Sequence, residues 1–260
     1  MRGLSAGRSG CRVRRPGVWS ALALLLVAGC ATVRPPSAAS APHPNFNGLW
    51  KMASAEITVK PEDDQSVLTD EAVRRHQAYA HEFDTAIDTP DRFCMPHGMP
   101  WIMVSRVRDY LIDIYQTDER VTMLFEGMDV HRLIRLDQSA VPDGFTPGTN
   151  GYSLAHWDGA TLVIETSHLR PSNPAGAFQR SGAMHITERW RLIEHPKYGR
   201  ALEVDLTVTD PVIYRHPAHG YQLYVPAEPG SVLNAYGCPE SLWDDYVGEH
   251  EAKRVTPTER

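Results

Sequence analysis

The sequence predicts an all-β domain with one early helix, in which the strands form a closed, antiparallel up-and-down barrel. One indication is strict alternation: in "LEVDLTVTD", apolar residues at 202, 204, 206 and 208 alternate with polar ones, as in a strand with one buried face. A second is the short turn signals between apolar runs, such as Asp158-Gly159, which favour hairpins. Eight or nine strands in such a chain must hide their edges, and closure into a barrel hides them.

The first 29 residues have the pattern of a signal peptide. Five arginines and no acidic residue precede "VWSALALLLVAG", an uncharged apolar run of 12 residues that ends before Cys30. A bilayer span needs about 20 apolar residues, so this run is too short to be one. The end of the run, "LVAGC", resembles the lipobox of bacterial lipoproteins. We therefore expect cleavage before Cys30 and lipidation of its thiol; an ordinary secretory signal with an incidental cysteine is the alternative.

The charge of the mature chain excludes one class of partner. Removal of residues 1–29 leaves 21 basic against 32 acidic residues, so the formal charge moves from −6 to −11. Such an acidic chain, without a basic cluster, is repelled by phosphate backbones, and we expect no nucleic-acid partner. Ala31 after the cysteine favours the outer membrane in lipoproteins of this kind. The expected location is the cell envelope, with the lipid as the membrane contact and the domain facing the periplasm.

Residues 30–44 predict a lipidated cysteine with a flexible Pro/Ala/Ser tether, residues 45–246 a single barrel domain, and residues 247–260 a polar tail. Helical spacing predicts a helix over Thr69–Phe83, with Thr69 as its cap. The strand candidates are Gly48–Ile57, Tyr110–Gln116, Arg120–Glu126, His131–Leu136, Tyr152–Trp157, Thr161–His168, Met184–Ile193, Ala201–Thr209 and Tyr221–Val225.

The cysteines give two alternatives for the segment "CMPHGMP". After loss of the signal and lipidation, Cys94 and Cys238 remain, and an oxidising compartment favours a disulfide between them. Alternatively, Cys94, Met95, His97 and Met99 form a copper-like site. The sequence argues against the metal site, because every second residue from 96 to 100 is a proline or a glycine, and these residues favour a stiff turn. We therefore expect the disulfide, no metal and, without a phosphate-binding glycine loop, no cofactor.

Two resemblances bear on the domain. "NFNGLW" is similar to the Gly-x-Trp opening of lipocalins, which implies a calycin-like, ligand-holding barrel. More broadly, residues 45–240 resemble an uncharacterised family of bacterial secreted proteins and lipoproteins, with C-x-P-x-G-x-P, G-x-S-x-x-x-W-[DE]-G-x-T-L-V and late-cysteine motifs. The resemblance supports the disulfide and implies a shared fold. The family positions it covers include Arg132, Asp137, Trp157, Glu165, Glu188, Arg189, Asp210 and Pro211.

This chain departs from that family in two places. Asp158 and Ala160 stand where the family tends to have Glu and Asp. Arg180-Ser181-Gly182 stands where many members have His-Ser-Glu. If that triplet is catalytic in relatives, the resemblance implies that the activity is altered or absent here.

Strand alternation selects the candidate site residues. Glu188 shares a face with apolar neighbours in "MHITERWRL", and Arg132 does so in "VHRLIRL", so we expect the two to form a buried ion pair. The alternative makes Glu188 a general base, with His156 or Glu165 as its catalytic partner. The residues expected to bind a ligand are Arg132, Tyr152, Trp157 and Trp190.

Three functions are compatible with these residues. The preferred hypothesis is a lipid-anchored barrel that binds a small apolar or amphipathic ligand. The second is a periplasmic hydrolase, lyase or isomerase that uses Glu188. The third is a structural envelope lipoprotein.

Overall fold

The computed structural model of the protein describes residues 43–57, 67–84, 90–104, 110–172 and 179–255. The predicted signal peptide, Cys30 and all but the last two residues of the predicted tether lie outside this part of the chain. Among the helices of the described residues, none has both the length and the apolar character needed to cross a membrane.

Nine strands form a closed barrel in sequence order, which confirms the predicted fold class. Each strand is paired with the next, and β9 returns to β1 to close the sheet. The strands are β1 (Gly48–Ile57), β2 (Leu111–Gln116), β3 (Arg120–Phe125), β4 (Val130–Arg135), β5 (Tyr152–Asp158), β6 (Thr161–Ser167), β7 (His185–His195), β8 (Gly199–Thr209) and β9 (Ala218–Pro226).

Alternation along the strands divides interior from exterior as the sequence predicts. On β8, the apolar residues of "LEVDLTVTD" are buried, while Arg191 on the outer face of β7 binds the carboxylates of Glu203 and Asp205. Large side chains fill much of the interior, including Trp50 and Trp190, each at most 1% exposed. The barrel is therefore a packed core over much of its length rather than a wide hollow.

The barrel departs from the predicted antiparallel order at one seam, between β4 and β5. These strands run parallel and overlap only through the pairs Ile134–Ser153 and Arg135–Leu154. A parallel neighbour requires the connection to cross back, and residues 136–151 do so. Beside the first part of β4 there is no paired strand of β5, and the loop of residues 136–151 lies there instead. Asn150 of this loop donates from Nδ2 to the His131 carbonyl at 3.1 Å. The result is a notch in the barrel wall.

The predicted early helix is present as α1 (Asp70–Glu82). Thr69 caps it as predicted, because its Oγ1 accepts a hydrogen bond from the Ala72 N–H at 3.2 Å. Arg215 helps to attach the helix to the segment before β9, because its guanidinium donates to the Leu68 carbonyl at 2.7 Å and binds Asp70 at 2.6 Å.

The "CMPHGMP" segment is a turn that a buried arginine holds in place. Gly98 has a φ of 71°, and a Cβ there would lie 2.2 Å from the Thr149 carbonyl oxygen, so the position requires glycine. Arg180 donates to the carbonyls of His97 at 2.5 Å and Met99 at 2.9 Å. Burial, together with the charge of nearby Arg170, lowers the pKa of Arg180 to about 10. A short helix, α2 (Trp101–Val104), follows the turn.

The disulfide between Cys94 and Cys238 is present, as the sequence predicts, with the two Cα atoms 5.7 Å apart. The thiol that the copper-like alternative needs is therefore bonded to sulfur. Cys238 also begins a helix, α3 (Cys238–Val255), which extends across the predicted start of the polar tail at residue 247. Pro239 in its first turn favours a helix start, but the low amphipathicity of this segment gives no clear periodic signal.

A carboxylate of low exposure connects the segment before α3 to the barrel. Glu126 accepts hydrogen bonds from the Leu111 N–H at 2.9 Å and from the Asn234 N–H at 3.0 Å and amide at 2.8 Å. Burial alone would raise the pKa of Glu126, but these donors outweigh it and hold the pKa below its ordinary value.

We expect Glu126→Gln to destabilise the protein at pH 7 by about 2 kcal/mol, because the amide offers one acceptor oxygen where the carboxylate offers two. The lowered pKa means that the ionised group stabilises the fold above its ordinary pKa of 4.5, and that this stability is lost as the pH falls below that value. The variant should therefore lose less stability than wild type between pH 6 and the acid range, as measured by urea unfolding.

Glu119→Gln is the control for this prediction, since Glu119 is exposed. The free energy of unfolding of this variant should fall with decreasing pH as that of wild type does. If Glu126→Gln keeps the full acid sensitivity of wild type, the hydrogen bonds to Glu126 do not contribute this pH-dependent stability.

Candidate functional site

A buried ion pair crosses the barrel interior, as the sequence predicts. Arg132 on β4 and Glu188 on β7 both point inward, and they are 2% and 0% exposed. The guanidinium binds the carboxylate with two hydrogen bonds, Nη2 to Oε1 at 2.7 Å and Nη1 to Oε2 at 3.2 Å. This two-point geometry is the strong form of an arginine–carboxylate contact, and it fixes both side chains.

Three further side chains complete the network. Arg132 Nη2 lies 3.3 Å from both Ser153 Oγ and Thr166 Oγ1, and the two hydroxyls are 2.8 Å apart. Trp190 Nε1 donates to Glu188 Oε2 at 3.1 Å. The network thus joins four consecutive strands, β4 to β7, including the two at the weakly paired seam.

Several buried polar atoms of the barrel have no hydrogen-bond partner within the described part of the chain: Arg132 Nε, both amide atoms of Gln222 and the Tyr224 hydroxyl. Tyr224 stacks on Trp190 with ring centroids 6.0 Å apart. Burial, and then the negative charge of Glu188, raises the pKa of Tyr224, so its hydroxyl stays protonated. Buried polar groups without partners are costly and call for a specific explanation.

We expect Gln222→Met to raise the free energy of unfolding by about 1–3 kcal/mol, because it removes an unsatisfied buried amide while keeping similar volume. Gln116→Met is the matched control: the Gln116 amide accepts from Phe46 and donates to Pro44, both at 2.9 Å, so its loss should destabilise. Chemical denaturation measures the free energy of unfolding of both variants. A destabilised Gln222→Met variant would mean that water or a ligand satisfies this amide inside the barrel.

The notch between β4 and β5 forms a pocket of about 230 Å³, here called the seam pocket. Its lining includes Arg132 and Ser153 of the buried network, although both residues are buried and their side chains point into the barrel. The lining residues are His131, Arg132, Leu133, Arg135, Phe145, Asn150, Gly151, Tyr152 and Ser153.

The aromatic wall of the seam pocket is held by its own contacts. Tyr152 meets Phe145 edge-on, with ring centroids 4.9 Å apart, and the Arg135 guanidinium lies 5.4 Å from the centre of the Tyr152 ring. The Tyr152 hydroxyl is also hydrogen-bonded to Gln138. These contacts give the pocket an apolar, ordered surface next to a cationic one.

Two other pockets are less suited to a ligand. One, of about 40 Å³, lies where Trp101 and Ile102 of α2 meet Tyr224 and is well below the roughly 300–1,000 Å³ typical of ligand sites. The other, of about 380 Å³, is lined partly by Lys51, Glu126 and Glu228. Among its described lining residues there is no buried polar side-chain atom that lacks a partner.

The structure brings together only some of the predicted ligand-binding residues. Arg132 and Tyr152 line the seam pocket, although Tyr152 lies on the outer face rather than inside the barrel. Trp190 is in the core against Glu188. Trp157 stacks on His43 at 4.4 Å and packs against Phe46, so it belongs to another part of the wall.

The predicted catalytic grouping of Glu188 with His156 or Glu165 is not formed. Alternation places His156 and Glu165 on the outer face, while Glu188 points inward. Glu165 instead binds Thr187 Oγ1 at 2.9 Å and His185 Nε2 at 3.1 Å. Opposite faces of one sheet separate the proposed acid and base, so this arrangement cannot perform the proposed catalysis.

The triplet that departs from the resembled family has structural contacts in this chain. Arg180 binds backbone carbonyls, as described above. Ser181 donates to Asp210 through its N–H at 2.6 Å and its hydroxyl at 2.7 Å, and Asp210 also accepts from the Val212 N–H. These bonds fix the loops before β7 and after β8.

Sequence reasoning missed several residues of the site. Ser153, Thr166 and Gln222 occupy inward positions of their strands, and alternation could have revealed them as polar residues on an apolar face. Phe145 and Asn150 lie in the loop of residues 136–151, where no periodic pattern predicts orientation. No family model matches this chain, and no curated protein matches it.

Proposed function

We propose that this protein is an outer-membrane-anchored periplasmic lipoprotein that binds a small amphipathic molecule in the seam pocket. The observation that carries the proposal is the pocket itself: a volume of about 230 Å³ that joins an ordered aromatic surface to the Arg135 guanidinium. Pockets that combine apolar walls with a few fixed polar groups are typical of small-ligand sites.

The placement of Arg135 supports this proposal further. Its guanidinium lies over the Tyr152 ring, 5.4 Å from the ring centre, so a ligand meets a cation next to an aromatic surface. The exposed side of the pocket opens through the seam, where the strands overlap by only two residue pairs. Entry therefore does not require the strands to separate.

Ligand-observed ¹⁹F NMR on the full-length protein tests this function with three small probes, 4-fluorophenol, 4-fluorobenzamide and 4-fluorobenzoate. We expect at least one to bind with a Kd below about 1 mM. Leu133→Trp should weaken binding by filling the pocket. Leu242→Trp is the control, since Leu242 on α3 is similarly exposed, at 42% against 44% for Leu133.

The proposal is wrong if no probe binds and if mass spectrometry finds no small molecule bound to protein purified from its native envelope. The anchor is tested separately. Lipidation of Cys30 should appear as a diacylglycerol mass on the N-terminal peptide, and Cys30→Ser should release the protein from the membrane fraction. The lipobox and the charge pattern of residues 1–29 support this part of the proposal.

A further inference from the structure

The charge of the seam pocket is positive. Its lining includes Arg132, Arg135 and His131 and no Asp or Glu. Glu188 compensates the charge of Arg132, so the excess comes from Arg135. That residue stands directly opposite Arg120 on β3. Two like charges at facing positions repel each other, and an anion beside Arg135 would relieve that repulsion.

The polar atoms of the pocket point to the same ligand chemistry. The Arg135 guanidinium lines the pocket on the same face as Tyr152, 5.4 Å from the centre of the Tyr152 ring. Arginine donors match the planar, two-oxygen geometry of a carboxylate. Asn150 Nδ2 donates to the His131 carbonyl, whereas Asn150 Oδ1 is buried and has no partner among the described residues. This oxygen can accept a hydrogen bond from a hydroxyl or a water beside the anion.

The apolar part of the pocket limits the rest of the ligand. Phe145 and Tyr152 present an edge-on aromatic pair, which is a favourable surface for a further ring. A volume of about 230 Å³ is below the roughly 300–1,000 Å³ of sites for drug-sized ligands. The ligand is therefore small, with room for about one ring.

We propose that the seam pocket selects a small aromatic carboxylate, with the carboxylate at Arg135 and the ring against Phe145 and Tyr152. This inference rests on the proposed ligand-binding function and names the chemical class that the pocket accepts.

The same ¹⁹F measurements test the chemical class, because 4-fluorobenzoate and 4-fluorobenzamide differ in charge but hardly in shape. Wild-type protein should bind the carboxylate at least about tenfold more tightly than the amide. Arg135→Gln should abolish most of that preference. Arg74→Gln, at an exposed position of α1, removes one charge elsewhere and should keep the preference.

The outcomes separate this inference from the function on which it rests. Equal affinity for the two probes, or a preference that survives Arg135→Gln in a folded variant, would overturn the carboxylate class while the ligand-binding function stands. Failure of all three probes to bind would overturn this inference, and it would overturn the ligand-binding function as well if mass spectrometry also finds no small molecule bound to the purified protein. The preference of the wild-type protein is informative by itself, even if the Arg135 variant does not fold.

Discussion

Replacing Glu188 with glutamine should lower the free energy of unfolding by about 3–5 kcal/mol. The substitution leaves the Arg132 charge in the barrel without its counter-charge, and removal of one member of a buried pair is costly for that reason. It also puts an amide where the carboxylate now accepts from both Arg132 and Trp190. Urea or guanidinium unfolding, followed by tryptophan fluorescence and by far-UV circular dichroism, measures the change.

Glu165→Gln is the matched control, because it makes the same chemical change on the outer face of the adjacent strand. Its carboxylate is partly solvated and binds His185 and Thr187, and exposed pairs of this kind contribute about 0–1 kcal/mol. If Glu188→Gln costs no more than Glu165→Gln, the buried pair is not important for stability.

A double variant separates the stability of the pair from its part in binding. Replacing both charges, in Arg132→Met with Glu188→Leu, should recover much of the loss, since apolar replacement of a complete buried pair is often neutral or stabilising. The folded double variant should bind 4-fluorobenzoate as tightly as wild type, because the proposed carboxylate site is Arg135 on the outer face of β4. Weaker binding would show that Arg132 contributes to the pocket as well as to the fold.

The barrel could be predicted because its signal is local. Alternation along β8 and the early helix with its Thr69 cap depend on residues close in sequence, and the structure reproduces both. The Arg132–Glu188 pair was predictable for the same reason. Each charge lies on an apolar face, and a closed barrel has one interior in which two such charges can meet.

The seam pocket could not be predicted, because it depends on a non-local event. Whether β5 lies parallel or antiparallel to β4 depends on the path of residues 136–151, which have no periodic pattern. The sequence alone therefore placed Tyr152 with the ligand-binding residues but not on the outer wall. The error over His156 and Glu165 has another cause: they were correctly placed on one face of a hairpin, but that face is the exterior.

Removal of the disulfide should have the largest effect on stability. We expect Cys94→Ser with Cys238→Ser to lower the free energy of unfolding by about 4–5 kcal/mol in the chain-entropy account, because the bond closes a loop with a sequence separation of 144 residues. That loop contains eight of the nine strands, so loss of the disulfide enlarges the unfolded ensemble of nearly the whole barrel. Equilibrium unfolding of the variant against oxidised wild type measures the change.

Reduced wild-type protein is the control, and it should match the double-serine variant. The Glu126 contacts to Asn234 and the Asp129 contact to Tyr236 at 3.0 Å also hold the segment before α3 on the barrel. Without the disulfide this attachment depends on them more strongly, so Glu126→Gln should cost more in the double-serine background than alone. A loss below about 1 kcal/mol on removing both thiols would contradict the chain-entropy account for this protein.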